Sequence, residues 1–246
     1  MIPRCVPAPA RPRLSPGVKL MWRSMLKTAA ATAAYALVHS ALASPDTKRA
    51  VRGVVGRRAY DGLYRTAYNA EAILGLVALR AYGRRLPDVV LYEVTGPAAL
   101  ALRAGQVAAL AAMGWAQWHV GPLRFSGVDG LVPYLRGDAE IPPTPVGQGP
   151  SPAPDGASMH DGGPFRYTRH PLNLATPVIL WLNPRMTANL VAFNLVATAH
   201  FLYGSLREER HLDEAYGDAY RAYQASGVPF YLPAPAPAPI PTPAGR

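Results

Sequence analysis

A chain of 246 residues, half of them apolar and only 16% charged, suits one soluble domain or a small helical membrane bundle. Its formal charge of +10 does not read as a nucleic-acid footprint, because the basic residues flank apolar runs instead of forming a stripe interleaved with aromatics. The single cysteine, Cys5, excludes an intramolecular disulfide and a thiolate metal cluster.

Residues 1–20, rich in Pro and Arg, are expected to be disordered. An apolar run from Leu26 to Ala43 follows, with Tyr35, His39 and Ser40 inside it, and Ser44-Pro45 marks its stop. The small residues before Pro45 also fit a cleaved leader, but proline directly after Ala-Leu-Ala-Ser is a poor cleavage context. Pro45 to Arg65 is expected to be a loop carrying Lys48, Arg49, Arg52, Arg57, Arg58 and Arg65 against Asp46 and Asp61, which the positive-inside rule assigns to the cytoplasm. A second span is expected from Tyr64 to Tyr82, and a third from Gly96 to Val120, where Trp115 and Trp118 fit an interfacial belt. His39, Ser40 and the polar groups of Arg65–Asn69 read as interhelical hydrogen-bonding positions, and Glu71 and Arg103 as a pair inside the bundle.

Residues 121–163 are expected to form a flexible cytoplasmic loop, rich in Pro and Gly. Two apolar segments follow: Pro171–Pro184, short and containing Pro177, and Thr187–Leu206, with Asn183-Pro184-Arg185 as the turn. After Glu208, the residues Leu212, Ala215, Tyr216, Ala219, Tyr220 and Tyr223 fall toward one side of a helix expected to lie on the membrane surface. The Ala/Pro tail, 229–246, is expected to be extended, disordered and without chemistry.

The expected fold is therefore all-α: an integral membrane helical bundle of about five transmembrane helices with a C-terminal helical hairpin and an amphipathic surface helix. Its parts are the N-terminal helices over 21–120, the loop, a chemistry-bearing core over 164–228, and the two tails. Five spans put the N-terminus, with Arg4, Arg11, Arg13 and Lys19, outside, against the positive-inside rule. Initiation at Met21 or Met25 would remove those charges, which N-terminal sequencing tests.

The densest chemistry lies in Gly163-Pro-Phe-Arg-Tyr-Thr-Arg-His-Pro-Leu172 and in Glu208-Glu209-Arg-His-Leu212. Charge beside hydrocarbon is costly, so polar clusters bracketing an apolar hairpin read as one site. Pro171 at a helix start leaves the amides of Leu172, Asn173 and Leu174 free for an anion, with Arg169 and His170 alongside. The hairpin returns Glu208 and Glu209 to the level of Arg169, where a salt bridge is available. A blander reading makes Arg169 a snorkelling interface residue, Pro171 a plain helix start and the two acids a solvated helix end. Glu208 and His211 have the Glu-x-x-His spacing of di-iron bundles, but no second copy exists, so no metal is expected.

These two motifs, the hairpin between them and Tyr216-Gly217-Asp-Ala-Tyr220-Arg-Ala-Tyr223 resemble the C-terminal core of the isoprenylcysteine carboxyl methyltransferase and phospholipid methyltransferase superfamily. His39-Ser-Ala-Leu-Ala-Ser44 and Tyr64-Arg-Thr-Ala-Tyr68-Asn69 are similar to bacterial NnrU-like members, and Asn183-Pro-Arg-Met-Thr-Ala188 to the methanethiol S-methyltransferase branch. The resemblance implies an enzyme using S-adenosylmethionine, with Tyr167, Arg169, His170, Pro171, Leu172, Asn173, Leu174, Glu208 and Glu209 about the cofactor. Arg169, His170 and Glu209 are the expected catalytic residues, with His170 a candidate proton acceptor. The implied partners are membrane lipids and a lipophilic or small-thiol methyl acceptor, and the implied location is the bacterial inner membrane with the site facing the cytoplasm. Where many members carry x-Tyr-x-Gly after His-Pro, this chain has Leu172-Asn173-Leu174-Ala175. Those two departures favour the alternative, a non-catalytic NnrU-like partner of a respiratory or denitrification complex. A basic membrane-surface adaptor using the Pro-rich tail is a further reading from composition.

Overall fold

A computed structural model describes residues 15–152, 159 and 162–234. The disorder expected of 1–14 and 235–246 lies outside the described residues, whereas 15–20 already belong to the first helix and its cap. Helix α1 (Pro16–Ala43) starts behind Ser15, whose hydroxyl accepts from the Val18 amide. Its buried side is Ser24, Thr28, Thr32 and Ala36, small residues one turn apart that allow close packing between helices. α1 runs along α7 (Ala188–Tyr216) and against α2 (Pro45–Gly83). Ser44 ends α1 and caps α2, accepting from the Thr47 amide at 3.2 Å.

α2 corrects the expected loop over 45–65: that basic segment is helical, with a break at Gly56 (φ 80°). The expected flexible loop over 121–163 also begins as helix. After α3 (Gly96–Val120) come α4 (Pro122–Ser126) and α5 (Val128–Arg136). Arg65 Nε and Asn69 Nδ2 donate to the Phe125 carbonyl at 3.0 and 2.9 Å, and Asn69 also to that of Ser126. They satisfy carbonyls that a helix end leaves open, so these two residues do bond between helices. Glu71 pairs with His39, at 2.9 Å, and not with Arg103 as expected.

A two-stranded antiparallel ribbon, β1 (Val90–Glu93) and β2 (Arg185–Thr187), was not foreseen. Beside it, Asp88 accepts from the Asn189 amide at the start of α7, fixing where that helix begins. α6 (Pro171–Trp181) packs on α3 and α7. Its 11 residues span about 16 Å at 1.5 Å each, roughly half a bilayer's hydrocarbon. Among the described residues, α3 alone is long and apolar enough to cross a membrane.

α7 continues well past Leu206, so Glu208 and Glu209 lie within it rather than at its end. Gly217 (φ 53°, ψ −124°) then turns the chain into α8 (Asp218–Ala225), a backbone that L side chains rarely adopt. The expected surface helix is thus cut in two. Leu212, Ala219, Tyr220 and Tyr223 bury their apolar side with Met159 and Val228 instead of offering it to lipid.

The beginning of the tail, 229–234, also departs from expectation. Pro177 has no N–H, which frees the Asn173 carbonyl one turn earlier, and Tyr231 fills that vacancy by donating its hydroxyl at 2.7 Å. The Thr168 hydroxyl donates to the Tyr231 carbonyl at 2.7 Å, and the Ala234 amide to that of Tyr167. A sequence expected to trail free therefore closes over the start of α6.

Candidate functional site

Two neighbouring carboxylates on α7 organise the site differently. Glu209 accepts from Arg169 through both oxygens, at 2.9 and 3.2 Å, and Oε1 also takes His170 Nε2 and the Tyr220 hydroxyl, each at 2.9 Å. Gln224 completes the set at Oε2. Burial alone would raise this carboxyl, but the donors prevail and hold its pKa at about 2. Arg169 is fixed in turn by the Val228 carbonyl at 2.8 Å and lies over the Phe230 ring. The expected Arg169–Glu209 bridge is present, as a saturated clamp tying α6 to α7, α8 and the tail.

Glu208 faces the other way. It accepts the Gln148 amide at 2.5 Å and Asn173 Nδ2 at 3.4 Å, and Asn173 also donates to the Ser205 hydroxyl at 2.9 Å. Gly147 permits the loop's approach: a Cβ there would sit 2.8 Å from Glu208 Oε1. Burial raises the Glu208 carboxyl, yet His170 and the amides of Gln148 and Gly149 bring it below the ordinary value. The stretch 147–149, expected to be flexible, is therefore part of the site.

His170 bridges the two acids, with its side chain 1% exposed. Nδ1 lies 3.5 Å from Glu208 Oε2, an ion-pair separation, but has no hydrogen-bond partner among the described residues. Burial lowers the imidazolium's pKa, and the two carboxylates outweigh it, raising it above the usual histidine value. The ring is thus enclosed between the two acids and does not border an open cavity.

Glu208 and Asn173 line a cavity of about 150 Å³ with His39, Lys48, Arg65, Tyr68, Thr144 and His200. Of the residues expected about a cofactor, only these two border the cavity. Arg169, His170 and Glu209 form the clamp behind it. Leu172 is buried, the Leu174 amide is bonded within its helix to the His170 carbonyl instead of being free, Pro171 is buried at the helix start, and Tyr167 is half-exposed near Trp115.

The cavity's other wall comes from residues read as packing. The Tyr68 hydroxyl donates to His39 Nε2 at 2.7 Å, and His39 Nδ1 meets Glu71 Oε2 at 2.9 Å. Arg65 is 8% exposed and its Nη2 has no partner; the Thr144 hydroxyl is likewise buried and unpartnered among the described residues. A signal was present in the sequence: Arg65, Tyr68 and Glu71 recur at three-residue spacing, which lines one face of a helix.

Over 69 residues the chain is 41% identical to a methanethiol S-methyltransferase of Mycobacterium tuberculosis, 28% of each chain. Over 70 residues it is 34% identical to that of Pseudomonas deceptionensis, 28% of this chain and 26% of the other. It is 38% identical over 60 residues to methanethiol S-methyltransferase 1 of Bradyrhizobium diazoefficiens, 24% of this chain and 21% of that one. Over this stretch the chain resembles methanethiol S-methyltransferases. That agrees with the isoprenylcysteine carboxyl methyltransferase resemblance of its motifs. The match spans about a quarter of the length of these curated relatives. No family model and no solved structure matches.

Proposed function

We propose that this protein is a membrane methyltransferase that uses S-adenosylmethionine and methylates a small thiol or another lipophilic acceptor. The carrying observation is Glu208, an ionised carboxylate held open to a cavity by a backbone amide, Asn173 and His170. A donor with an ammonium and a sulfonium fits such an acid, and the relatives' names supply the reaction class. When bound, the donor supplies a methyl group on a positively charged sulfur, so the protein's task is alignment and exclusion of water. Glu208 and Asn173 hold the donor's cationic part; Arg169, His170 and Glu209 keep Glu208's helix and α6 in register.

A thiol attacks as thiolate, so its proton must leave. The Tyr68 hydroxyl borders the cavity and is bonded to His39, which Glu71 orients. As the S–H bond breaks, the proton passes to the Tyr68 oxygen while the Tyr68 proton moves to His39 Nε2.

A lipid setting is supported by large apolar side chains left exposed on four helices. Among them are Leu37 on α1, Leu74 on α2, Leu100 and Trp118 on α3, and Leu195 on α7. Lys48, in the segment that the positive-inside rule puts in the cytoplasm, borders the cavity, which supports a site open to that side of a bacterial inner membrane.

Calorimetry on the detergent-solubilised protein tests this reading. S-adenosylmethionine should bind at micromolar concentration, with binding weakened tenfold or more in Glu208→Gln and impaired in Arg169→Ala through loss of the clamp. No binding to folded wild type would overturn the reading and return the chain to the non-catalytic membrane partner.

A further inference from the structure

We propose that Arg65 and Lys48 form the carboxylate-binding end of the cavity, recognising the amino-acid carboxylate of the methyl donor. The inference rests on the reading of the donor as S-adenosylmethionine and assigns a subsite to residues of α2, outside the two clusters at 163–172 and 208–212.

Arg65 is nine-tenths buried, a costly place for a cation that deprotonation cannot neutralise. Its contacts account for only part of the group. Nε donates to the Phe125 carbonyl, and the guanidinium lies over the Phe125 and Tyr68 rings at 5.2 and 6.0 Å. Nη2 remains without a partner among the described residues, and the side chain borders the cavity. Lys48 borders the same cavity, its ammonium bonded to the Val146 carbonyl at 3.3 Å. Burial and the neighbouring Arg65 charge hold the Lys48 ammonium below the usual lysine range, with Glu208 opposing weakly, so a further anion there relieves both cations. The buried, unpartnered Thr144 hydroxyl lines the same wall and can donate to the same anion.

Arg169, where the motif points for an anion, already has its charge paired with Glu209 and bonded to the Val228 carbonyl, and it does not border the cavity. The cavity thus presents an unpartnered guanidinium nitrogen, a nearby ammonium and one acid, Glu208, which is the pattern that a zwitterionic amino acid requires. Its volume of about 150 Å³ is below the ~300–1,000 Å³ that covers a drug-sized ligand, and suits an amino-acid end with the rest of the donor at the mouth.

The test is calorimetry on the full chain with two ligands, S-adenosylmethionine and its decarboxylated analogue. Wild type should prefer the carboxylate-bearing ligand by about tenfold or more, a charge-assisted pair's contribution. Lys48→Gln should weaken S-adenosylmethionine about tenfold, leave the analogue unchanged and so abolish the preference. Arg65→Gln should do the same more strongly, and Arg65→Lys should recover part of it. Because Arg65 also holds Phe125, the milder Lys48 variant decides if Arg65→Gln fails to fold. Equal wild-type affinities for the two ligands, or a preference that survives in Lys48→Gln, overturn the subsite while leaving the donor assignment standing. Failure of wild type to bind either ligand removes both proposals together.

Discussion

Glu208 and Glu209 are adjacent on one helix, yet one closes a clamp and the other opens onto a cavity. At 3.6 residues per turn, consecutive side chains point in different directions, so α7 sends one acid into the layer made by α6, α8 and the tail and the other toward α1 and α2. Glu209 has its lone pairs filled by protein donors, whereas the wall facing Glu208 contains an Arg and a Thr with atoms unpartnered among the described residues. Saturation fits a structural role for Glu209, and unpartnered buried atoms beside a cavity support the binding role proposed for the wall facing Glu208. A paired-acid motif need not act as a pair.

The sharpest way to break this contrast is to swap the expected consequences. Glu209→Ala leaves Arg169 and the enclosed His170 without their carboxylate and should cost about 3–5 kcal/mol of stability, read as a large fall in thermal midpoint in detergent. Glu208→Gln keeps an acceptor for the Gln148 amide but loses the charge facing His170, and should lower the midpoint less than Glu209→Ala while weakening donor binding tenfold or more, about 1.4 kcal/mol. A stable Glu209→Ala protein, or a Glu208→Gln protein that unfolds but binds normally, would reverse the roles assigned to the two acids.

Part of this was readable in advance. The Ser44-Pro45 boundary, the apolar helices and the Arg169–Glu209 bridge follow from local chemistry, since capping, periodicity and opposite charge act over short distances. The helical nature of 45–65 was hidden because its charge density reports membrane sidedness, not backbone conformation. The cavity was hidden for a different reason. His39, Lys48, Arg65 and Tyr68 are single polar residues scattered along two helices, and only the packing of α1, α2 and α7 gathers them. Glu209's partners Tyr220 and Gln224 depend on the Gly217 corner, whose angle no pattern of apolar residues encodes.

The clamp also sets a pH signature that the cavity acid alone would not. Glu209 has its folded pKa depressed from 4.5 to about 2, so its contribution is full above 4.5 and lost as pH falls toward 2. His170 has its pKa raised from 6.5, so its contribution is full below 6.5 and lost as pH climbs through the raised value. Thermal midpoints should therefore peak between about 4.5 and 6.5, with a decline on each side. Glu209→Gln should make the acid limb shallower, leaving the part that Glu208 carries. An unchanged acid limb in that variant would move the titrating group elsewhere.

The smallest effect probes the tail's contribution to the clamp side. Tyr231 donates to the carbonyl that Pro177 leaves free, and in Tyr231→Phe that carbonyl loses its partner while the ring beside Phe230 is retained. The expected loss is about 1 kcal/mol of stability, with donor affinity unchanged because Tyr231 does not border the cavity. Pro177→Ala in the same background restores an amide that can reach the Asn173 carbonyl within the helix, so the double variant should recover much of the loss. Recovery would tie the tail's docking to one missing N–H in α6. Equal destabilisation with or without Pro177 would show that the tail is held by Thr168, Arg169 and the rings of Phe230 and His170 instead.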